Sequence, residues 1–171
     1  MHVVDNRNVT HTLAAAVTYY AQEYDSTNVL DIMNDLGING VVHCDGTSLV
    51  GPSVLDPSVY YNNNVARTIR MLDHMRQWKQ KPFIVFSSSA AVYGSPEIMP
   101  IKETDGVTTV NPYGQTKLMI ERILHDYDLA YGMKNFCVRY FNAAGADVWD
   151  NDLGAEPGDT HLIPRIFEAA M

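Results

Sequence analysis

Lys81-Pro82-Phe83-Ile84-Val85-Phe86-Ser87-Ser88-Ser89 is an apolar run opened by a proline and closed by three hydroxyls. Four consecutive apolar residues leave no polar face, as a strand covered on both sides of a parallel sheet should read. Upstream, Asn62 to Lys81 carries Val65, Ile69, Leu72, Met75 and Trp78 near helical spacing, and Pro82 closes it. Gly40 to Cys44 is a second short apolar run, ending at Asp45-Gly46. Downstream, Pro112 opens a helix with Gly132 as its C-cap, and Asn135 to Phe141 is a third strand. This β-α-β-α-β order, with connections of crossover length, predicts an α/β protein built on a doubly wound parallel sheet. Such a sheet binds ligands at the carboxyl ends of its strands. Polar and small clusters follow all three strands: Asp45-Gly46-Thr47-Ser48, Ser87-Ser88-Ser89 and Asn142-Ala143-Ala144-Gly145.

The first 40 residues are less patterned. Val3-Val4 reads as a strand ending at Asp5-Asn6. Thr12 to Tyr24 fits helix or strand. Ser26 to Leu36 reads as a short helix with Ser26 or Thr27 as N-cap and Gly37 at its end.

Composition bounds the class. The chain has 171 residues, 46% hydrophobic and 19% charged, which fits one soluble globular domain and excludes a disordered or collagen-like chain. Twelve Lys and Arg against 20 Asp and Glu give −8. An acidic chain is poorly suited to nucleic acid or an anionic membrane, so neither is expected as a partner. An anionic ligand must be held by local donors. Cys44 and Cys137 both lie in apolar runs and are expected as buried free thiols of a reducing compartment. The expected location is the cytoplasm, since no stretch approaches a membrane span and no secretory signal opens the chain. His43, His74 and His125 lack metal-ligand spacing, so no metal is expected.

The chemistry points to Tyr113-Gly114-Gln115-Thr116-Lys117. Residues four apart share a helix face, so phenol and ammonium can converge. A tyrosine base near neutral pH must drop from about 10 to about 7, which takes ~4 kcal/mol of preference for phenolate. One cation at about 4 Å supplies roughly that at an effective dielectric near 20. Alone, the spacing also fits a buried tyrosine beside an exposed lysine. Ser89, ending the preceding strand, adds a hydroxyl able to meet the same ligand oxygen. Serine donor, tyrosine base and lysine polariser form an alcohol–ketone interconversion site.

At this point the chain resembles the extended short-chain dehydrogenase/reductase family, the NAD-dependent epimerases and dehydratases, in its UDP-glucose 4-epimerase branch. The matching stretches are Phe86-Ser87-Ser88-Ser89-Ala90-Ala91-Val92-Tyr93-Gly94, Asn111-Pro112-Tyr113-Gly114-Gln115-Thr116-Lys117, Arg139-Tyr140-Phe141-Asn142-Ala143-Ala144-Gly145-Ala146 and Thr160-His161-Leu162-Ile163-Pro164, with Asn63-Asn64-Val65 and Val3-Val4-Asp5-Asn6. The resemblance implies interconversion of UDP-galactose and UDP-glucose through a 4-keto intermediate with tightly bound NAD. It makes Tyr113 the base, Ser89 a donor to the same oxygen, and Lys117 both polariser and holder of the nicotinamide ribose. Asp5 would meet the adenosine ribose, Asn6, Cys44, Gly46, Thr47 and Asn63 would line the cofactor, and Phe141 would pack by the nicotinamide. Ser89, Tyr113, Asn142, His161 and Leu162 would contact the UDP-sugar. Bland readings remain open beside these: Asn63 as a helix cap, Asp5 as a turn residue, Ser87 and Ser88 as strand-end hydrogen-bonders. A homodimer through the helices around 62–81 and 112–131 is a further expectation.

The family pattern is also broken. No Gly-x-x-Gly-x-x-Gly loop occurs. Measured against the family, Met1 falls just before the second strand. The expectation is therefore an incomplete Rossmann-like fold lacking the first β-α unit and the carboxyl-terminal substrate domain. Residues 1–171 would be a partial NAD-binding domain, with 143–171 leading toward the second domain. Asp45 replaces a small apolar residue, Ser48 replaces a lysine, and an acidic residue of the family falls near Gln22-Glu23. Two alternatives follow: a catalytically incompetent fragment or degenerate paralogue that cannot hold NAD, or another nucleotide-sugar epimerase, dehydratase or reductase. An acid beside Ser89 would favour a dehydratase, and Ala90-Ala91 stands there instead.

Overall fold

The computed structural model describes residues 1–6, 17–143 and 162–170. It is an α/β structure with parallel strands, as the alternating strand and helix signals require. Strands β1 (His2–Asp5) and β2 (Thr18–Ala21) pair in parallel, His2 opposite Thr18 and Asp5 opposite Ala21. Strands β3 (Gly40–His43), β4 (Phe83–Ser89) and β5 (Asn135–Tyr140) form a second sheet in that order. Gly40 lies opposite Phe83 and His43 opposite Phe86, again in parallel. The doubly wound sheet therefore comes as two sheets. Between β1 and β3 lies a cavity of about 1020 Å³ whose walls include Val4, Leu30, Val41 and Met71.

Helix α1 (Thr27–Asp35) and helix α4 (Arg67–Met75) supply Val29, Leu30, Met33, Met71, Leu72 and Met75 to one core. Helix α5 (Pro112–Tyr131) adds Ile120 and Leu124, and β4 adds Ile84 and Phe86. Burying a side chain of this size stabilises by ~1.5–3 kcal/mol, so this contiguous cluster dominates the fold. In β4 the burial alternates rather than covering both faces. Ile84, Phe86 and Ser88 are buried, Val85 is half-buried and Phe83 is exposed.

Several boundaries differ from the sequence reading. The helix expected over 62–81 opens as a π-helix over Tyr61–Ala66 and stops at Met75. Beyond it the backbone tightens into i→i+3 bonds, Gln77 to His74 and Trp78 to Met75. Trp78 reaches the core from that turn and donates its indole N–H to His74 Nδ1 at 3.1 Å. Two short helices, α2 (Val50–Leu55) and α3 (Pro57–Tyr60), fill a segment the periodicity left unassigned. The Thr12–Tyr24 stretch contains β2, and its residues 12–16 lie outside the described residues. Ser26 sits at the N-cap of α1 but makes no side-chain cap bond. Cys44 is exposed, which corrects the expectation of a buried thiol, because β3 ends at His43 and Cys44 enters the turn. Cys137 is half-buried, and burial pushes its thiol up to about 11.

The chain divides into two compact units, Met1–Arg139 and Tyr140–Met171. The second contains α6 (Leu162–Ala170). No helix among the described residues is long and apolar enough to cross a membrane.

Candidate active site

The carboxyl end of β4 and the first turns of α5 meet through a backbone contact that only glycine permits. A Cβ on Gly114 would lie 2.7 Å from the Ala91 carbonyl oxygen. Ala91 belongs to the 3-10 turn Ala90–Tyr93 that follows β4 directly. Gly114 therefore lets the start of α5 pack directly on the turn that Ser89 opens. Asn111 starts the helix by accepting the Gly114 N–H at 2.8 Å, with Pro112 at N1. Ser89 Oγ accepts the Ala91 N–H at 3.2 Å.

Lys117 is 4% exposed and makes no ion pair among the described residues. Its Nζ donates to the Ser87 carbonyl at 2.9 Å, lies 4.9 Å from the Phe86 ring centroid and 5.9 Å from that of Tyr113. Burial pushes the ammonium down to about 8, against weaker opposing pulls from Cys44 and Asp45. A cation so placed can polarise the phenol and donate to a ligand hydroxyl. Gly46 (φ +142°) faces it: a Cβ there would sit 3.8 Å from Lys117 Nζ and 3.0 Å from Asn64 Oδ1. The turn after β3 is thus closed down on the lysine.

One turn further along α5, Glu121 shares the face of Tyr113 and Lys117. It accepts Ser88 Oγ–H at 2.5 Å and a two-pronged pair from Arg139, at 3.0 and 2.7 Å. Arg139 also donates to the Tyr93 hydroxyl at 2.7 Å. Ser88 is thereby a strand-end anchor, as its bland reading held. The Glu121–Arg139 link was not among the sequence candidates. Its signal was the i, i+4, i+8 spacing Tyr113–Lys117–Glu121.

The carboxyl ends of β1, β2 and β3 make a second, acidic corner. Arg67 of α4 donates to Asp25 at 2.9 and 3.1 Å and to Glu23, with its guanidinium 4.5 Å from the Tyr24 ring centroid. Burial pushes Asp25 upward, but the hydrogen bonds from Arg67 and Arg70 outweigh it and hold the carboxyl below its usual range. Asn6 donates to Glu23 at 3.1 Å. Asp45 is raised by burial and by Asp5 and Glu23, while Arg67 and Lys117 pull it down. Asp5, Asn6, Cys44, Gly46, Thr47, Asn63 and Arg67 all line the cavity described above. Asn63 caps no helix. It lies inside the π-turn, donates to Thr47 Oγ1 at 3.2 Å, and its carbonyl accepts the Tyr24 hydroxyl at 3.0 Å. Burial pushes the Tyr24 phenol up to about 12.

Tyr113 and Lys117 therefore share one face of α5, Lys117 reaches the end of β4 at Ser87, two residues before Ser89, and Asp5, Asn6, Cys44, Gly46, Thr47 and Asn63 line one cavity. Phe141, 68% exposed, and Asn142 belong to the second unit, where Leu162 opens α6. His161 lies outside the described residues.

The family model described as "NAD dependent epimerase/dehydratase family" matches residues 1–171. A UDP-glucose 4-epimerase of Halalkalibacterium halodurans is 42% identical over 172 residues, covering 99% of this chain and 51% of that protein. One from Lacticaseibacillus casei is 40% identical, covering 98% and 51%. Among solved structures, the UDP-glucose 4-epimerase from Brucella ovis in complex with NAD superposes with a TM-score of 0.88 at 39% identity, over 99% of this chain and 52% of that one. The Bifidobacterium longum UDP-glucose 4-epimerase in complex with NAD+ and UDP gives 0.71 at 37%, over 76% and 39%. The chain spans about half the length of the curated relatives it matches.

Proposed function

The chain belongs to the NAD dependent epimerase/dehydratase family, and we propose that it carries the cofactor-binding and proton-transfer half of a UDP-glucose 4-epimerase. The observation that supports this reading is Lys117, buried without an ion pair among the described residues, its Nζ on the Ser87 carbonyl and 5.9 Å from the Tyr113 ring centroid, with the Gly46 turn closed against it. The residues present suit the ribose ends of NAD, while the sequence offers no glycine loop for its pyrophosphate. Asp5, at the carboxyl end of β1 and on the cavity wall, would accept a ribose hydroxyl, with Asn6 beside it. Gly46 and Thr47 form a narrow turn against which a sugar can lie, and Lys117 offers donors to ribose hydroxyls. NAD, when bound there, supplies a reversible hydride acceptor for C4 of the sugar.

The chain's own residues handle the proton. Tyr113, as phenolate, takes the proton of the sugar 4-hydroxyl, and Ser89 donates to the same oxygen. Lys117 stabilises the phenolate, then the neutral tyrosine returns its proton when the 4-keto group is reduced from its other face. Phe141, Asn142, His161 and Leu162 extend the reading to the nicotinamide and the UDP-sugar. A cytoplasmic location and a homodimer through the helices at 62–81 and 112–131 belong to the same proposal. The exposed Leu129 of α5 supports the dimer. Ala90-Ala91 after Ser89 puts no acid where a dehydratase would want one.

Denaturing the purified protein and assaying the supernatant for NAD, alongside UDP-galactose turnover, tests the reading. Bound NAD with turnover supports it. Neither NAD nor turnover would leave the incompetent alternative.

A further inference from the structure

Asp45 is a carboxylate on the cavity wall with no partner of its own. It follows β3 in the turn Cys44–Thr47 and is exposed to the cavity. Its side chain makes no ion pair and no hydrogen bond among the described residues. The nearby cations are committed elsewhere. Arg67 is divided between Glu23 and Asp25, Arg70 reaches Asp25, and Lys117 donates to the Ser87 carbonyl. Asp5 from β1, Glu23 from the loop after β2, Arg67 from α4 and Lys117 from α5 all act on the Asp45 charge. The Tyr24 phenol, pushed up to about 12, and the His43 imidazole, pushed down to about 3, both stay neutral near pH 7. His2 lies at the far, amino end of β1. The cavity walls already desolvate the carboxylate in part, which favours its protonated form.

Asp45 is within electrostatic reach of both Asp5 and Lys117, and the residue after it, Gly46, has its Cβ position 3.8 Å from Lys117 Nζ. The dinucleotide reading seats one ribose at Asp5 and the other at Lys117. The pyrophosphate that joins them then passes a carboxylate within reach of both. That pyrophosphate is anionic and finds no glycine loop to receive it. Carboxylate and pyrophosphate repel, and a proton on the carboxylate removes the repulsion.

We propose that Asp45 is the charge-selectivity residue of this cavity: a pyrophosphate-bearing ligand binds with uptake of one proton on its carboxylate, and an uncharged nucleoside binds without that uptake. The proposal rests on the dinucleotide reading of the cavity. Proton uptake makes affinity rise as pH falls. ADP-ribose and adenosine are the probes, titrated calorimetrically into the full chain at low salt with EDTA present. Neither probe changes its own charge between pH 7.5 and pH 6, and Lys117 is mostly charged throughout that range. At pH 7.5, Asp45→Asn is expected to bind ADP-ribose about tenfold more tightly than the wild type. Wild-type affinity for ADP-ribose is expected to rise toward pH 6 and close most of that gap, while the variant stays within about twofold. Adenosine is expected to bind both proteins alike at either pH. Repeating the titration in buffers of different ionisation enthalpy counts the proton, which the wild type takes up with ADP-ribose and Asp45→Asn does not. The tenfold difference should shrink in molar salt. Because the side chain is exposed and without a partner, the thermal midpoint of Asp45→Asn is expected to match the wild type. Adenosine bound while ADP-ribose affinity is equal in the two proteins at pH 7.5 overturns the proposal and leaves the dinucleotide reading standing. A pH slope that survives in Asp45→Asn belongs to His2, Lys117 or another group and likewise overturns it. Adenosine and ADP-ribose bound by neither protein refutes the dinucleotide reading, and the proposal falls with it.

Discussion

The two corners of the site are held by different forces. At the β4–α5 corner, a glycine–carbonyl contact and an asparagine cap position one lysine, whose nearest partners are a backbone carbonyl and aromatic rings. At the β1–β2–β3 corner, Glu23 and Asp25 pair with Arg67, Asp45 feels the charges of Arg67 and Asp5, and geometry is set by ion pairs. The first arrangement keeps a cation poorly solvated and reactive. The second keeps several anions tolerable by sharing the guanidiniums of Arg67 and Arg70. Packing and neutral hydrogen bonds are nearly indifferent to salt, whereas part-exposed ion pairs are not.

The largest effect should come from Lys117→Met, which is expected to cut turnover by about 10²–10⁴. Its stability effect has the opposite sign. Burial lowers the ammonium from 10.5 to about 8, so the folded chain disfavours the charge by about 3 kcal/mol at neutral pH. The unfolded chain holds that proton more tightly. The group's deficit therefore vanishes above pH 10.5, grows as pH falls toward 8 and is complete below it. Lys117→Met removes the deficit but leaves the Ser87 carbonyl without its donor. Urea titrations should show the variant more stable by about 1–2 kcal/mol at pH 7, with the advantage shrinking between pH 8 and 10.5.

Gly114→Ala drives a methyl into the Ala91 carbonyl and should cost about 2–3 kcal/mol, independent of salt. Arg67→Met leaves the nearly buried Asp25 with Arg70 as its remaining cation and should cost about 2 kcal/mol. That loss should shrink between low and molar salt in paired urea titrations. If Gly114→Ala proved the salt-sensitive variant and Arg67→Met did not, the contrast between the corners would be wrong. Asn111→Ala should cost about 1 kcal/mol by thermal melting.

The β4–α5 corner was legible in the sequence because its parts are local: Tyr113 and Lys117 share a helix face, and Ser89 directly ends an apolar strand. The role of Gly114 was hidden, since a glycine in a helix announces weakness rather than the carbonyl it must clear. Asn64 was hidden by its neighbour. Asn63 and Asn64 look alike in a row, and only the π-turn decides which one faces inward. The role of Arg67 was hidden, because Glu23 and Asp25 lie more than forty positions away along the chain. The helix over 62–81 was foreseen, but its early stop was not: periodicity in Trp78 is satisfied equally by a turn that delivers the indole to the core.

In the proposed reaction Tyr113 moves the proton, at a site that holds NAD independently of its hydroxyl. Tyr113→Phe removes the hydroxyl and keeps the ring. In the purified protein, NAD content after denaturation is expected to equal that of the wild type while UDP-galactose turnover falls by about 10²–10⁴. Turnover retained with NAD still bound would contradict the account.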